Sequence, residues 1–216
     1  MRISAGEVTL EGAVDVPSAP RGAVLFAHGT GSSRLSPRNR YVAGVLRDAG
    51  LATLLIDLLT QSEEQSEAAT GHLRFDIGLL GGRLVRMTDW LRGYPKTRGL
   101  PIGYFGASTG AAAALVAAAR RSVGAIVSRG GRPDLAGPAL PQVHAPTLLI
   151  VGERDDVVLT LNKQAFAELG GDKELAIVPG ASHLFSEPGA LEEVARLARA
   201  WFVRHLGGTS PANPGA

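Results

Sequence analysis

The chain of 216 residues contains no cysteine. Disulfides, thiolate metal sites and a cysteine nucleophile are thereby excluded. No apolar stretch approaches the roughly 20 residues needed to cross a bilayer. Basic residues form no run, and a net charge of +2 does not suggest a nucleic-acid partner. The opening residues, Met1 to Gly6, lack the apolar core of a secretory signal, so the expected location is cytoplasmic. No internal repeat is visible.

What is present suits one soluble domain. Hydrophobic residues make up 45% and charged residues 19%, ordinary values for a globular chain long enough to bury a substantial core. Short continuous apolar runs recur: Ala23–Ala27, Leu51–Ile56, Ile102–Phe105, Ala125–Val127, Leu148–Val151 and Ala176–Val178. Such runs, without alternation, suit strands buried on both faces of a parallel sheet. Glu7 to Val16 reads as an antiparallel edge strand or hairpin. Helices are expected from Ser36 to Asp48, Arg74 to Leu91, Thr109 to Arg120, Leu161 to Leu169 and Gly189 to Leu206. Ser36 before Pro37 supplies a cap and a first-turn proline. The segment Thr60 to Gly71 is polar and acidic and is expected to be a surface loop. Alternating strand and helix predict a mostly parallel sheet covered on both faces, as one domain over residues 1–206. The tail from Gly207 to Ala216 is expected to be disordered.

Gly106-Ala107-Ser108-Thr109-Gly110 lies between a strand-like run and an alanine-rich helix. It reads as G-x-S-x-G, in which a tight strand-to-helix turn pushes a serine hydroxyl toward substrate. With so much glycine, the pentapeptide arises by chance about 0.2 times per chain, so its context must carry the argument. Upstream, His28-Gly29-Thr30-Gly31 follows a central strand, where a second oxyanion donor is expected. The amides of Thr30 and Thr109 are assigned that role, with His28 shaping the loop. A rival reading takes Gly29-Thr30-Gly31 as a dinucleotide fingerprint. Arg34 stands where its third glycine belongs, and Asp57 lies too far on for the ribose.

A serine nucleophile needs a base, and the base needs a carboxylate to fix its tautomer. Gly152-Glu153-Arg154-Asp155-Asp156 follows a buried strand; Asp155 is the first choice, Asp156 the second and Asp134 a distant third. His183, in Gly180-Ala181-Ser182-His183, is the histidine that lies after both Ser108 and Asp155 and at a strand end. His205 near the last helix end is expected to be exposed or to cap it. The order Ser108, Asp155, His183 is the order of α/β-hydrolases.

On these four motifs the chain resembles the α/β-hydrolase superfamily, and within it the dienelactone-hydrolase-like branch, from about Gly22 to Leu206. The resemblance implies an α/β-hydrolase fold and a Ser-Asp-His hydrolase using no metal or organic cofactor. Dienelactone hydrolases proper use a cysteine nucleophile; serine stands here, which implies a general esterase. Relatives often insert a helical lid after the sixth strand. Here that interval, Gly130 to Ala145, is short, and no large cap domain is expected.

The expected substrate is a small or soluble carboxylic ester, cleaved through an acyl-enzyme by a monomer or homodimer, away from nucleic acid and membrane. Arg34, Arg38, Arg129 and Arg132 follow strand ends, where ligands bind in open sheets. Arg34 and Arg129 are candidates to hold an anionic substrate group, the alternative being surface ion pairing. Phe185, with Leu35, Leu58 and Leu59, is a candidate for the acyl pocket or for packing. Thioester or amide hydrolysis, perhydrolysis, and a non-catalytic binding protein on the same fold remain alternatives.

Overall fold

The computed structural model describes residues 1–207, apart from the side chains of 67–70. The expected disordered tail, beyond Gly207, lies outside them. Eight strands, in the order β1-β2-β4-β3-β5-β6-β7-β8, form one sheet. The six strands β3 (Gly22–Ala27), β4 (Leu51–Ile56), β5 (Ile102–Ala107), β6 (Ala125–Arg129), β7 (Thr147–Gly152) and β8 (Lys173–Val178) are parallel. The antiparallel edge is made by β2 (Thr9–Asp15) on β4 and by β1 (Arg2–Ser4) on β2. The chain thus has the α/β-hydrolase fold.

Every residue of β3, β4, β5, β6 and β7 is buried, which is why these strands read as unbroken apolar runs. Their side chains alternate between two cores. Leu25, Leu54, Tyr104, Ile126 and Leu149 face α3 (Ile77–Gly93) and α4 (Thr109–Arg120). Val24, Phe26, Phe105, Val127 and Ile150 face α1 (Pro37–Asp48) and α6 (Ala190–Leu206). The run of alanines in α4 serves close packing: Ala111 to Ala114 and Ala117 are all fully buried. Glycines in α3 do not break it. Gly81 is where the two helices touch, since a Cβ there would lie 2.9 Å from Val116 Cγ1.

Three elements differ from expectation. Thr60 to Gly71 is not a loop but contains α2 (Gln61–Thr70). Its start is a reciprocal capping box: Thr60 N–H donates to Glu63 Oε2 (2.7 Å) and Glu63 N–H to Thr60 Oγ1 (3.2 Å). The helix is polar, so no apolar period announced it. The helix placed from Arg74 begins later, because Leu73–Phe75 forms a separate 3₁₀ turn and Asp76 caps Leu79 N–H at 2.9 Å. The helix α5 (Asp156–Glu168) begins five residues before Leu161, directly after Asp155. Between β6 and β7 the chain makes only 3₁₀ segments over Pro133–Gln142, interrupted at Gly137, with no cap domain.

The turn from β5 into α4 depends on absent side chains. A Cβ on Gly110 would lie 2.3 Å from Ala27 O and 2.5 Å from His28 O; one on Gly106 would lie 2.4 Å from Ala111 Cα. These obstacles are backbone and cannot swing away. Gly110→Ala is therefore expected to destabilise the fold by about 3 kcal/mol or more, read as a lower urea midpoint. An unchanged midpoint would show that β3 and α4 are not so closely apposed.

Candidate active site

Ser108 links β5 to α4 with φ 51° and ψ −123°. A non-glycine residue held there stores about 1–3 kcal/mol of strain, which persists only when its surroundings dictate it. Those surroundings are visible. Ser108 N–H donates to Arg129 O at 3.2 Å, and Ser108 O accepts from Ala111 and Arg132 N–H at 3.0 and 3.1 Å. The loop after β3 presses on the turn from the other side: a Cβ on Gly29 would lie 2.9 Å from Ser108 Cβ. The serine is half-buried, at the C-terminal rim of the sheet.

The loops after β7 and β8 are tied together. Glu153 N–H donates to Val178 O (3.0 Å), Arg154 N–H to Ala181 O (3.0 Å) and Gly180 N–H to Glu153 Oε2 (2.7 Å). Gly152 permits this contact, since a Cβ there would lie 2.4 Å from Ala181 O. The result is a 2.6 Å hydrogen bond between His183 Nδ1 and Asp155 Oδ2. An ionised carboxylate only accepts, so Nδ1 carries the proton, and in the neutral imidazole Nε2 keeps its lone pair. Asp156 is exposed in the first turn of α5, and Asp134 is engaged by Arg132. Gly130 brings the imidazole to the serine's rim: it follows Arg129, and a Cβ on it would lie 3.2 Å from His183 O and 3.5 Å from His183 Nδ1. Among the described residues no hydrogen bond joins Ser108 Oγ to His183; such bonds often form only around substrate.

The other expected site residues fall less simply. The amide of Thr109 opens α4, where helical geometry leaves it without an internal acceptor. The amide of Thr30 is not free as expected: it donates to Thr109 Oγ1 at 3.0 Å, and the two threonine hydroxyls also lie 3.0 Å apart. Arg34 does not stand open to an anion, because its guanidinium and amide both bind Asp57. Arg129 is 8% exposed and has no carboxylate partner among the described residues. Phe185 cannot line a pocket. It is 1% exposed, packed in the α1/α6 core at φ 53°, where it anchors the histidine loop. Leu58 and Leu59 are buried as well, while Leu35 is 59% exposed. His205 is half-buried and packs tilted against Trp201, centroids 4.4 Å apart and planes at 52°.

A cleft of about 1520 Å³ runs between 31–38 and 57–64, and neither Ser108 nor His183 lines it.

His28 holds the loop between them. Its Nε2 accepts from Leu58 N–H at 3.0 Å, so its proton sits on Nδ1, 2.9 Å from Gly29 O. Burial holds this imidazole below its ordinary range, outweighing its bond to Gly29 and the charges of Asp57 and Glu64. The neutral ring is the folded form. Its contribution is complete above the unfolded value near 6.5 and is lost as pH falls through the lower folded value. His28→Gln keeps an acceptor for Leu58 but does not titrate. Between about pH 7.5 and about pH 5, the urea midpoint should fall less in this variant than in the wild type; equal falls would show that His28 is not buried neutral.

The sequence profile of the dienelactone hydrolase family matches residues 13–204. The crystal structure of a dienelactone hydrolase from Anabaena variabilis ATCC 29413 is similar at 62% identity, covering 95% of this chain and 96% of that one, with a TM-score of 0.93. A lidless α/β serine hydrolase from Xanthomonas campestris shares the fold at a TM-score of 0.77 and 20% identity, over 97% of this chain and 95% of its own. A Mycobacterium tuberculosis (strain ATCC 25618 / H37Rv) protein named provisionally as a phosphoribosyl transferase is 59% identical over 214 residues, which are 98% of this chain and 47% of that protein. The chain thus spans about half the length of the curated relatives it matches first. On the family profile and the shared architecture together, the chain belongs to the dienelactone hydrolase family.

Proposed function

We propose that this chain is a serine hydrolase of small or soluble carboxylic esters, and that Ser108, His183 and Asp155 are its catalytic triad. The observation that carries the reading is the strained turn at Ser108, held at the same rim as an imidazole whose Nδ1 is already bonded to a carboxylate. Strain of this kind at a hydroxyl has no use in a plain helix cap, and Ser108 makes no side-chain cap bond.

In this reading Ser108 Oγ attacks the ester carbonyl while His183 Nε2 takes its proton. Asp155 keeps the imidazole in the required tautomer and offsets the charge that forms on it. The tetrahedral oxyanion is held by the Thr109 amide and the α4 N-terminus, where a partial positive charge is already oriented. The Thr30 amide supplies a second donor once rotation of Thr109 Oγ1 releases it. Collapse breaks the bond to the alkoxy group, which leaves with the proton from His183. Water, deprotonated by His183, then attacks the acyl-enzyme and restores Ser108. A lactone is an ester within a ring and follows the same steps.

Thioesters, amides and peroxide as acceptor differ from esters in leaving group or nucleophile, not in the groups that activate Ser108. Esters are the preferred reading because the family profile is that of hydrolases of a lactone, itself an ester, and a site without a lid suits small, soluble esters rather than long lipids. The transferase name of the mycobacterial protein belongs to a polypeptide of which this chain covers 47%. The family profile falls on that shared part, so hydrolysis is the activity assigned here.

Ser108→Ala should lower ester turnover by about 10⁶-fold, and Asp155→Asn by about 10⁴-fold through the wrong tautomer. Both are measured on p-nitrophenyl esters of rising chain length, with matched thioester and amide substrates alongside. Near wild-type turnover by Ser108→Ala would overturn the assignment of Ser108, and failure of a fluorophosphonate to label Ser108 in the wild type would favour a binding role over catalysis.

A further inference from the structure

Arg129 ends β6 with 8% of its surface exposed, and its Nε and Nη1 are closed to solvent without a hydrogen-bond partner. Other arginines that reach inward are neutralised: Arg34 by Asp57, Arg83 by Glu63, Arg132 by Asp134. Burial, with a smaller contribution from the charge of Arg38, pushes Arg129 down to about 10. It is still a cation at neutral pH. A buried charge without a partner costs several kcal/mol, and an apolar residue of similar volume would remove that cost.

Packing places Arg38 at the same end of the molecule. Ala125, Val127 and Arg129 alternate onto one face of β6, and the first two belong to the α1/α6 core. Arg38, Val42 and Leu46 succeed one another at i, i+4 on α1, and the last two belong to that same core. Because α1 follows β3 through the loop 28–36 that leaves the sheet's C-terminal rim, its first turn, with Arg38, stands at the rim above that core, as Arg129 does. Arg38 Nε is likewise closed off and unpartnered, and Arg38 forms no ion pair among the described residues. The α1 N-terminus adds to the positive field. Ser36 Oγ accepts from Asn39 N–H, while the Arg38 amide has no intrahelical acceptor.

We propose that Arg129, Arg38 and the first turn of α1 form a binding site for a phosphate dianion beside the nucleophile. Two guanidinium groups and a helix N-terminus exceed the charge of one carboxylate and match a phosphate monoester, which carries about −1.5 to −2 near pH 7. Their planar forks suit bidentate contact with its oxygens. The site adjoins the reacting centre, since Arg129 O accepts from Ser108 N–H and Gly130 lies against His183. If the dianion belongs to the substrate, which rests on the esterase reading, the preferred ester bears a phosphate group remote from the scissile bond. If it is free phosphate, the ion competes with neutral esters for the site.

The test uses the full chain and inorganic phosphate, with sodium chloride at equal ionic strength as control. Phosphate should raise Tm and raise KM for p-nitrophenyl acetate, and Arg129→Met should lose both effects. Arg38→Gln, at a half-exposed position, carries the same test should Arg129→Met fail to fold. Equal Tm in phosphate and chloride, full effects in both variants, or succinate acting as strongly as phosphate would overturn the assignment. The source is separated by an acetyl ester of a hydroxyalkyl phosphate and its neutral dimethyl phosphotriester. A kcat/KM more than about tenfold higher for the charged ester, lost in Arg129→Met, places the dianion on the substrate. Equal values with the Tm shift retained assign the site to free phosphate. Ser108→Ala should keep the Tm shift, so that failure of the triad and failure of this site give different results.

Discussion

Everything at the rim depends on how closely three pieces of backbone approach one another around Ser108. The turn at φ 51° stays strained only because β3, β5 and α4 leave it no other course. Gly106 lets α4 fold back on β5, Gly110 lets α4 run against the end of β3, and Gly29 lets the next loop cross over the serine. These contacts are made to backbone and, at Gly29, to Ser108 Cβ, which no rotamer moves, so no rotamer change can accommodate a methyl group. The geometry that exposes the hydroxyl therefore also brings the loop with the Thr30 amide to the start of α4. Strain and oxyanion loop are two aspects of one steric constraint.

A second constraint joins the acid to the base. Asp155 and His183 belong to loops that follow neighbouring parallel strands, and such loops emerge side by side. Adjacency alone would not orient an imidazole. Backbone bonds from Glu153 and Arg154 to Val178 and Ala181 set the two loops in register, and Phe185 anchors the histidine loop in the core below. Phe185 accepts a left-handed backbone to do so. Its burial in the α1/α6 core opposes the cost of that conformation.

Much of this was legible in the sequence because it is written in residues with few physical alternatives. A strand buried on both faces must be apolar throughout, so β3 to β7 announced themselves. The tight turn needs Gly106 and Gly110, and the acid and histidine follow strand ends in the order the fold requires. What escaped depends on partners that no local pattern displays. The helix α2 has no apolar period, and its one signal was Thr60 followed by Glu63, a capping box easily read as polar loop. Phe185 looked like pocket lining because an aromatic residue beside a site suits both pocket and core; the sign of its φ is not visible in a sequence. The Thr30 amide looked free because its acceptor is a side chain 79 residues away.

Three departures from folding rules fall within this small region: a strained serine, a strained phenylalanine, and an arginine buried without a counter-charge. They are not scattered. Ser108 bonds to the Arg129 carbonyl, and the glycine after Arg129 lies against His183 and Phe185. Each departure costs free energy, and a fold retains such costs where function requires the geometry or the charge. In the proposed triad one strain falls at the nucleophile and the other behind the base. The unpaired cation fits neither place, because no proton or oxyanion in the proposed ester mechanism needs a guanidinium beneath the turn. The proposed anion would offset that cost, so the charge that weakens the protein alone would strengthen its complex. That difference between empty and occupied states is what distinguishes a binding residue from a packing residue at this position.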